Sequence, residues 1–189
     1  MASSGPNAPG TIVNDTSVGT RAWNNPTNAA SSDNVYTTSQ CAFPTCTSQY
    51  LKATNFGFSF AMGDTIDGIV VEFERKASAN APTRYILDST VKLVIGGSVV
   101  GTNKNSITKW STTEAFFTYG GAADLWGNTI TPTDVNSSNF GVVLSVSLTD
   151  TGKIPNMTAS VDYIRITVYY TTGGGGGGSV SKLGLLGVG

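Results

Sequence analysis

Residues 163–170 read YIRITVYY and run straight into TTGGGGGG, residues 171–178. Ile164, Ile166, Val168 and Tyr170 alternate with Tyr163, Arg165, Thr167 and Tyr169. Period two is the repeat of a β-strand, whose successive side chains point to opposite faces, so this segment reads as a strand with one buried face. The same pattern recurs upstream. Phe56, Phe58 and Phe60 alternate with Asn55, Gly57 and Ser59, and Ile69, Val71 and Phe73 with Val70, Glu72 and Glu74. Val91, Leu93 and Ile95 follow, and Val142, Leu144, Val146 and Leu148 interleave with Val143, Ser145, Ser147 and Thr149. These stripes predict one shared core containing Phe58, Ile69, Val71, Phe73, Leu93, Leu144, Ile164, Ile166 and Val168.

Shorter strand candidates fill the intervals at 21–23, 35–38, 84–87, 99–100 and 115–119. Gly96–Gly97 is placed for a two-residue hairpin turn, which needs positive φ. No segment keeps a 3.6-residue period over three turns, although residues 134–138 fit a single helical turn. Many short antiparallel strands separated by turn residues predict an all-β fold, an antiparallel β-sandwich of jelly-roll-like form. The division read from the chain is an N-terminal arm over 1–20 and a sandwich over 21–172. A polyglycine hinge over 173–178 and an apolar tail over 179–189 complete it. Val180, Leu183, Leu185, Leu186 and Val188 make that tail sticky, and glycine's freedom in φ and ψ makes its tether loose. The expectation is assembly through the tail.

The chain has 189 residues, which suits one domain. Charged residues make up 12 %, against a norm of about 25 %, so hydroxyls and amides hydrate most of the surface. Eleven basic and twelve acidic residues leave a net charge of −1 with no basic stretch, which argues against a nucleic-acid partner. No apolar run reaches the roughly 18–20 residues of a membrane span. The N-terminus, MASSGPNAPGTIVNDT, does not read as a secretory signal.

Catalytic chemistry is left one opening, a carboxylate pair of the kind that cleaves glycosides, to which any of the twelve acidic residues could contribute, and no enzymatic role is expected. The chain has no histidine, which removes Ser-His-Asp and Cys-His arrangements. Its glycine run lacks the Lys-Ser/Thr of a phosphate loop. Cys41 and Cys46, in SQCAFPTCTS, are read as a local disulfide or a pair of free thiols. No metal or other cofactor is expected, since zinc usually takes four ligands from His and Cys. Asp64 with Asp67, and Asp134 near Asn136 and Asn139, offer oxygen atoms to calcium, but neither group has the spacing of a calcium loop. Trp110, Tyr119 and Trp126 fall in KWSTTEAFFTYGGAADLWGN. They have two readings, as caps on the open ends of the sandwich or as loop rings that stack on sugar.

Four runs have a pattern beyond their period: YLKATNFGFSFAMGDTIDGIVVEFERKA, VKLVIGGSVVGTNK, YGGAADLWGNTITPTDVNSSNFGVVLSV and ASVDYIRITVYYTT. Together they resemble a β-sandwich domain that recurs in uncharacterised proteins of tailed phages and environmental viruses. The resemblance spans about residues 20–172 and carries no catalytic motif. It implies a non-enzymatic structural protein of a phage or virus particle, such as a capsid decoration, fibre or tail-associated component. Such a protein is made in the host cytoplasm, resides in the virion, and has other copies or other virion proteins as partners. The alternative is a carbohydrate-binding module that meets host-surface glycan through Trp110, Tyr119 and Trp126.

Overall fold

The alternating runs assemble into two antiparallel sheets in a computed structural model, which describes residues 1–42, 44–151 and 156–173. In chain order the strands are β1 (Ala2–Asn7), β2 (Thr11–Asp15), β3 (Thr37–Cys41), β4 (Thr45–Thr47), β5 (Tyr50–Thr54) and β6 (Thr65–Ala77). They continue with β7 (Arg84–Ile95), β8 (Ser98–Val100), β9 (Ala115–Gly121), β10 (Gly141–Asp150) and β11 (Met157–Thr171). A 3-10 turn, Pro26–Ala29, follows β2, and a single helical turn α1, Pro132–Asn136, precedes β10. Thr131 and Asp134 cap that turn reciprocally, each side chain serving the other's backbone N–H.

One sheet has the order β1-β11-β6-β9, with β3 also paired to β11. The other runs β2-β5-β10-β7-β8, with β4 also paired to β10. All named strand pairs are antiparallel. The two sheets repeat one device. A long inner strand, β11 or β10, pairs along one side with a single long neighbour, β6 or β7. Its other side is shared by two short strands, β1 and β3 in the first sheet and β5 and β4 in the second. The result is the expected β-sandwich.

The nine core residues read from the period are all buried between the sheets. Gly96 and Gly97 form the β7–β8 hairpin turn with φ of 58° and 85°, a geometry that glycine adopts without a Cβ penalty. Residues 84–87 and 91–95 prove to be one strand. Cys41 and Cys46 are bonded. They lie on β3 and β4, which belong to different sheets, so the short loop disulfide ties the two layers together.

Two expectations change. Residues 1–20 do not form an arm: β1 covers β11 from Ile166 to Tyr170, and β2 pairs with β5 along its whole length. Their polar composition reflects their place, since each is the outermost strand of its sheet with few buried positions. Phe56, Phe58 and Phe60 are buried on alternate positions, yet residues 55–60 pair with no strand. Asn55 has a φ of 62°, which turns the chain out of the β5 ladder. The Asn136 side chain then accepts from Phe60 N at 2.8 Å and donates to Phe60 O at 2.9 Å, supplying the bonds a neighbouring strand would have made. The hinge and tail, from residue 174 on, lie outside the described residues, as do Val180, Leu183, Leu185, Leu186 and Val188. Among the described residues no helix is long and apolar enough to cross a membrane.

Candidate functional site

Two clusters of polar side chains correct the sequence reading in different ways. The first is a knot around Asp88. Arg75 on β6 and Asp88 on β7 both stand on the inward phase of their strands, in step with Phe73 and Ile86. A charge turned into a core needs partners, because burial removes its water. Asp88 has four. Arg75 Nη1 donates to Oδ1 at 2.6 Å and Trp110 Nε1 to the same oxygen at 2.8 Å. The Tyr119 hydroxyl donates to Oδ2 at 2.7 Å and Ser106 N at 3.0 Å. Four donors match the lone-pair capacity of a carboxylate. The Arg75 guanidinium lies 4.2 Å from the ring centres of both Trp110 and Phe117, so its faces meet aromatic rings. Burial pushes the Tyr119 hydroxyl far above the ordinary tyrosine value, against the pull of the Arg75 charge, and keeps it a donor.

The sugar-stacking reading of the three aromatics is thereby overturned. Trp110 is 2 % exposed, Tyr119 5 % and Trp126 0 %. Trp126 Nε1 donates to Ile69 O at 3.0 Å, so each polar atom of the three rings is satisfied internally. No ring face is open to a ligand. The knot joins β7 of one sheet to β6 and β9 of the other, and it acts as a polar cross-tie between the layers. Beside it, Arg75, Lys109, Trp110, Phe116 and Phe117 line a depression of about 150 Å³. That is below the roughly 300–1,000 Å³ of pockets that enclose small molecules. Inward-phase Arg75 and Asp88 on consecutive strands were the signal in the sequence for this knot, and a count of apolar stripes passes over them.

The second place is the end of β11, where the chain leaves the sandwich. Thr171 Oγ1 donates to Asp67 Oδ2 at 2.7 Å, and Gly173 N donates to Asp64 Oδ1 at 3.1 Å. Asp64 Oδ2 meanwhile accepts from Ala61 N at 3.0 Å, holding its own turn closed. Gly173 lies so near the Gly63 backbone that a Cβ there would fall 1.9 Å from the Gly63 carbonyl oxygen. Thus the first residue assigned to the hinge is part of the folded body. The Tyr170 ring meets Phe60 edge-on at 4.9 Å, which packs the same end from the apolar side. Asp64 and Asp67, weighed as calcium ligands, clamp the exit, while Asp134 caps α1 and Asn136 bridges Phe60.

Compared with known proteins, the sequence matches no family model and no curated relative. Among solved structures, one described as "CBM4 structure and function" aligns with a TM-score of 0.38 and 10 % identity, over 72 % of this chain and 85 % of that one. Another, "BiXyn10A CBM1 APO", aligns with a TM-score of 0.38 and 8 % identity, over 85 % of this chain and 99 % of that one. At that distance neither likeness carries an argument about what this chain binds.

Proposed function

We propose that this chain is a non-enzymatic structural protein of a phage or virus particle, a rigid sandwich joined to neighbouring copies or other virion proteins through the segment beyond Gly173. The observation that carries the reading is the position of β11. It is an inner strand, bonded to β6 on one side and to β1 and β3 on the other, and it runs directly into the glycine-rich segment. Tension on that segment loads ladders on both flanks of β11 at once, in shear, and the Asp64–Gly173 clamp receives it first. An anchor attached to an outer strand would instead peel its ladder bond by bond. The particle assignment rests on the resemblance of the four sequence runs to phage and virus sandwich domains.

The test compares the full chain with one ending at Gly173, which keeps the clamp. Both are expected to fold with the same thermal midpoint. Only the full chain is expected to sediment as an oligomer or to co-purify with particles. A shortened chain that assembles with unchanged affinity sinks the proposal, as does a full chain that stays monomeric and is absent from purified particles.

A further inference from the structure

The outer face of the five-stranded sheet carries three carboxylates that the folded chain leaves under-served. Glu74 projects from β6, Glu114 immediately precedes β9, and Asp162 sits in β11. Val161 pairs with Arg75 and Tyr163 with Glu74, so Asp162 is the unmatched residue of a β-bulge. A bulge re-aims a side chain, and here it lets Val161 and Ile164 stay inward while Asp162 turns to the outer face. There the loop after the 3-10 turn folds over it. Ala30 bridges to Tyr163, and Asn34 N donates to Asp162 Oδ2 at 3.1 Å. Asp162 is left 1 % exposed on what would otherwise be an open sheet face.

One carboxylate oxygen from each of Glu74, Glu114 and Asp162 lies within 4.8 Å of the other two. Asp162 Oδ1 and Glu74 Oε2 are both cut off from solvent and accept no hydrogen bond. Glu114 Oε2 is 3.2 Å from Lys76 Nζ. Arg165 is held by Glu72 at 2.8 and 3.1 Å and acts on Glu74 through its charge, while the Tyr36 hydroxyl, bonded to Asn34 Oδ1 at 3.1 Å, also lies within reach of Glu114. Counting Glu72 with the trio, four carboxylates face the Lys76 ammonium and the Arg165 guanidinium, a deficit of two positive charges. Two buried carboxylate oxygens without a hydrogen bond, on residues of one cluster, cost free energy that the fold itself does not return.

We propose that Glu74, Glu114 and Asp162 form a calcium site. A hard divalent cation takes carboxylate oxygens, and calcium holds them at about 2.3–2.6 Å, so oxygens on opposite sides of one ion stand roughly 4.6–5.2 Å apart. The three oxygens, all within 4.8 Å of one another, lie no farther apart than one such ion can bridge. Magnesium demands near-ideal octahedral geometry at about 2.0–2.1 Å and usually keeps several waters, so a set of three protein carboxylates suits it less well. Bound there, the ion joins the bulge of β11 to β6 and to the start of β9, and fixes the 30–36 loop through Asp162. Lys76, a third exposed and 3.8 Å from the Tyr36 ring centre, is free to swing off Glu114 as the ion enters. The site is independent of the proposed assembly role.

The test is calorimetric titration of calcium chloride into the full chain after dialysis against a chelator, with thermal melts alongside. One site is expected, with a Kd of about 10⁻⁴–10⁻³ M, the range of extracellular calcium modules. About 10 mM calcium should then raise Tm by roughly 3–10 °C, with a smaller rise from magnesium. Glu74→Gln is expected to abolish that rise while leaving the calcium-free protein folded and at least as stable. Lys76→Ala is expected to tighten calcium binding by removing the competing ammonium. No heat and no Tm rise in the wild-type chain overturns the proposal. An undiminished calcium response in Glu74→Gln, or an equal response to magnesium, overturns it as well.

Discussion

Asp88 shows how much one buried carboxylate can organise. It receives bonds from β6, β9 and the 102–113 loop, and sits on a strand of the opposite sheet. Asp88→Asn keeps the shape but leaves the Arg75 guanidinium without a counter-charge, and breaking a buried pair from one side costs about 3–5 kcal/mol. Tyr119→Phe removes a single bond to a charged acceptor and should cost about 1.5–3 kcal/mol. Urea denaturation of both variants checks the order, and equal small losses would show that the knot is not cooperative. Asp15 gives a milder, pH-dependent effect at the surface. Hydrogen bonds from the Ser17 hydroxyl and backbone, with the nearby Lys52 ammonium, hold its carboxyl below the ordinary carboxylate value. A depressed folded pKa stabilises above the unfolded value, about 3.9, and that contribution is lost as pH falls through the lower folded value. Asp15→Asn should therefore lower stability slightly near neutrality and flatten the acid limb below about pH 4, so that the variant and wild-type curves converge in acid.

Strands show why position within a sheet outweighs composition. β1 is polar, carries Gly5 and Pro6, and has no fully buried residue, yet it is what closes the upper flank of β11. Removing residues 1–7 exposes the backbone donors and acceptors of Ile166–Tyr170, a ready template for pairing with another chain. The shortened protein is expected to melt lower and to self-associate in light scattering; an unchanged monomer would mean that β1 is dispensable. Ile166→Ala, in the middle of the same strand, should cost about 2–5 kcal/mol through lost transfer energy and the cavity left behind. The Cys41–Cys46 bridge closes a short loop, so reduction should cost at most about 2 kcal/mol, a fall in Tm of no more than roughly 4–8 °C.

For the molecule as a whole, the alternation of Ile69–Phe73, Val142–Leu148 and Ile164–Tyr170 was enough to name the fold, because period two has only one structural solution at that length. The core followed from it, down to individual residues. The single-face reading of Val142–Thr149 was incomplete, however. Val143, on the outer phase, is buried with Tyr50 and Val94 beneath Val18, a residue from the loop after β2. Local pattern decided strands, turns and the inward face, since these depend on side chains a few positions apart. Pairing partners came only with the tertiary structure. It made strands of the polar N-terminus, withdrew Phe56–Phe60 from any ladder, and turned three loop aromatics into internal struts. It also brought Glu74, Glu114 and Asp162 within reach of one another across strands β6, β9 and β11. Those outcomes depend on long-range register, and a bulge one residue long is enough to turn Asp162 to a new face, which no window along the chain records.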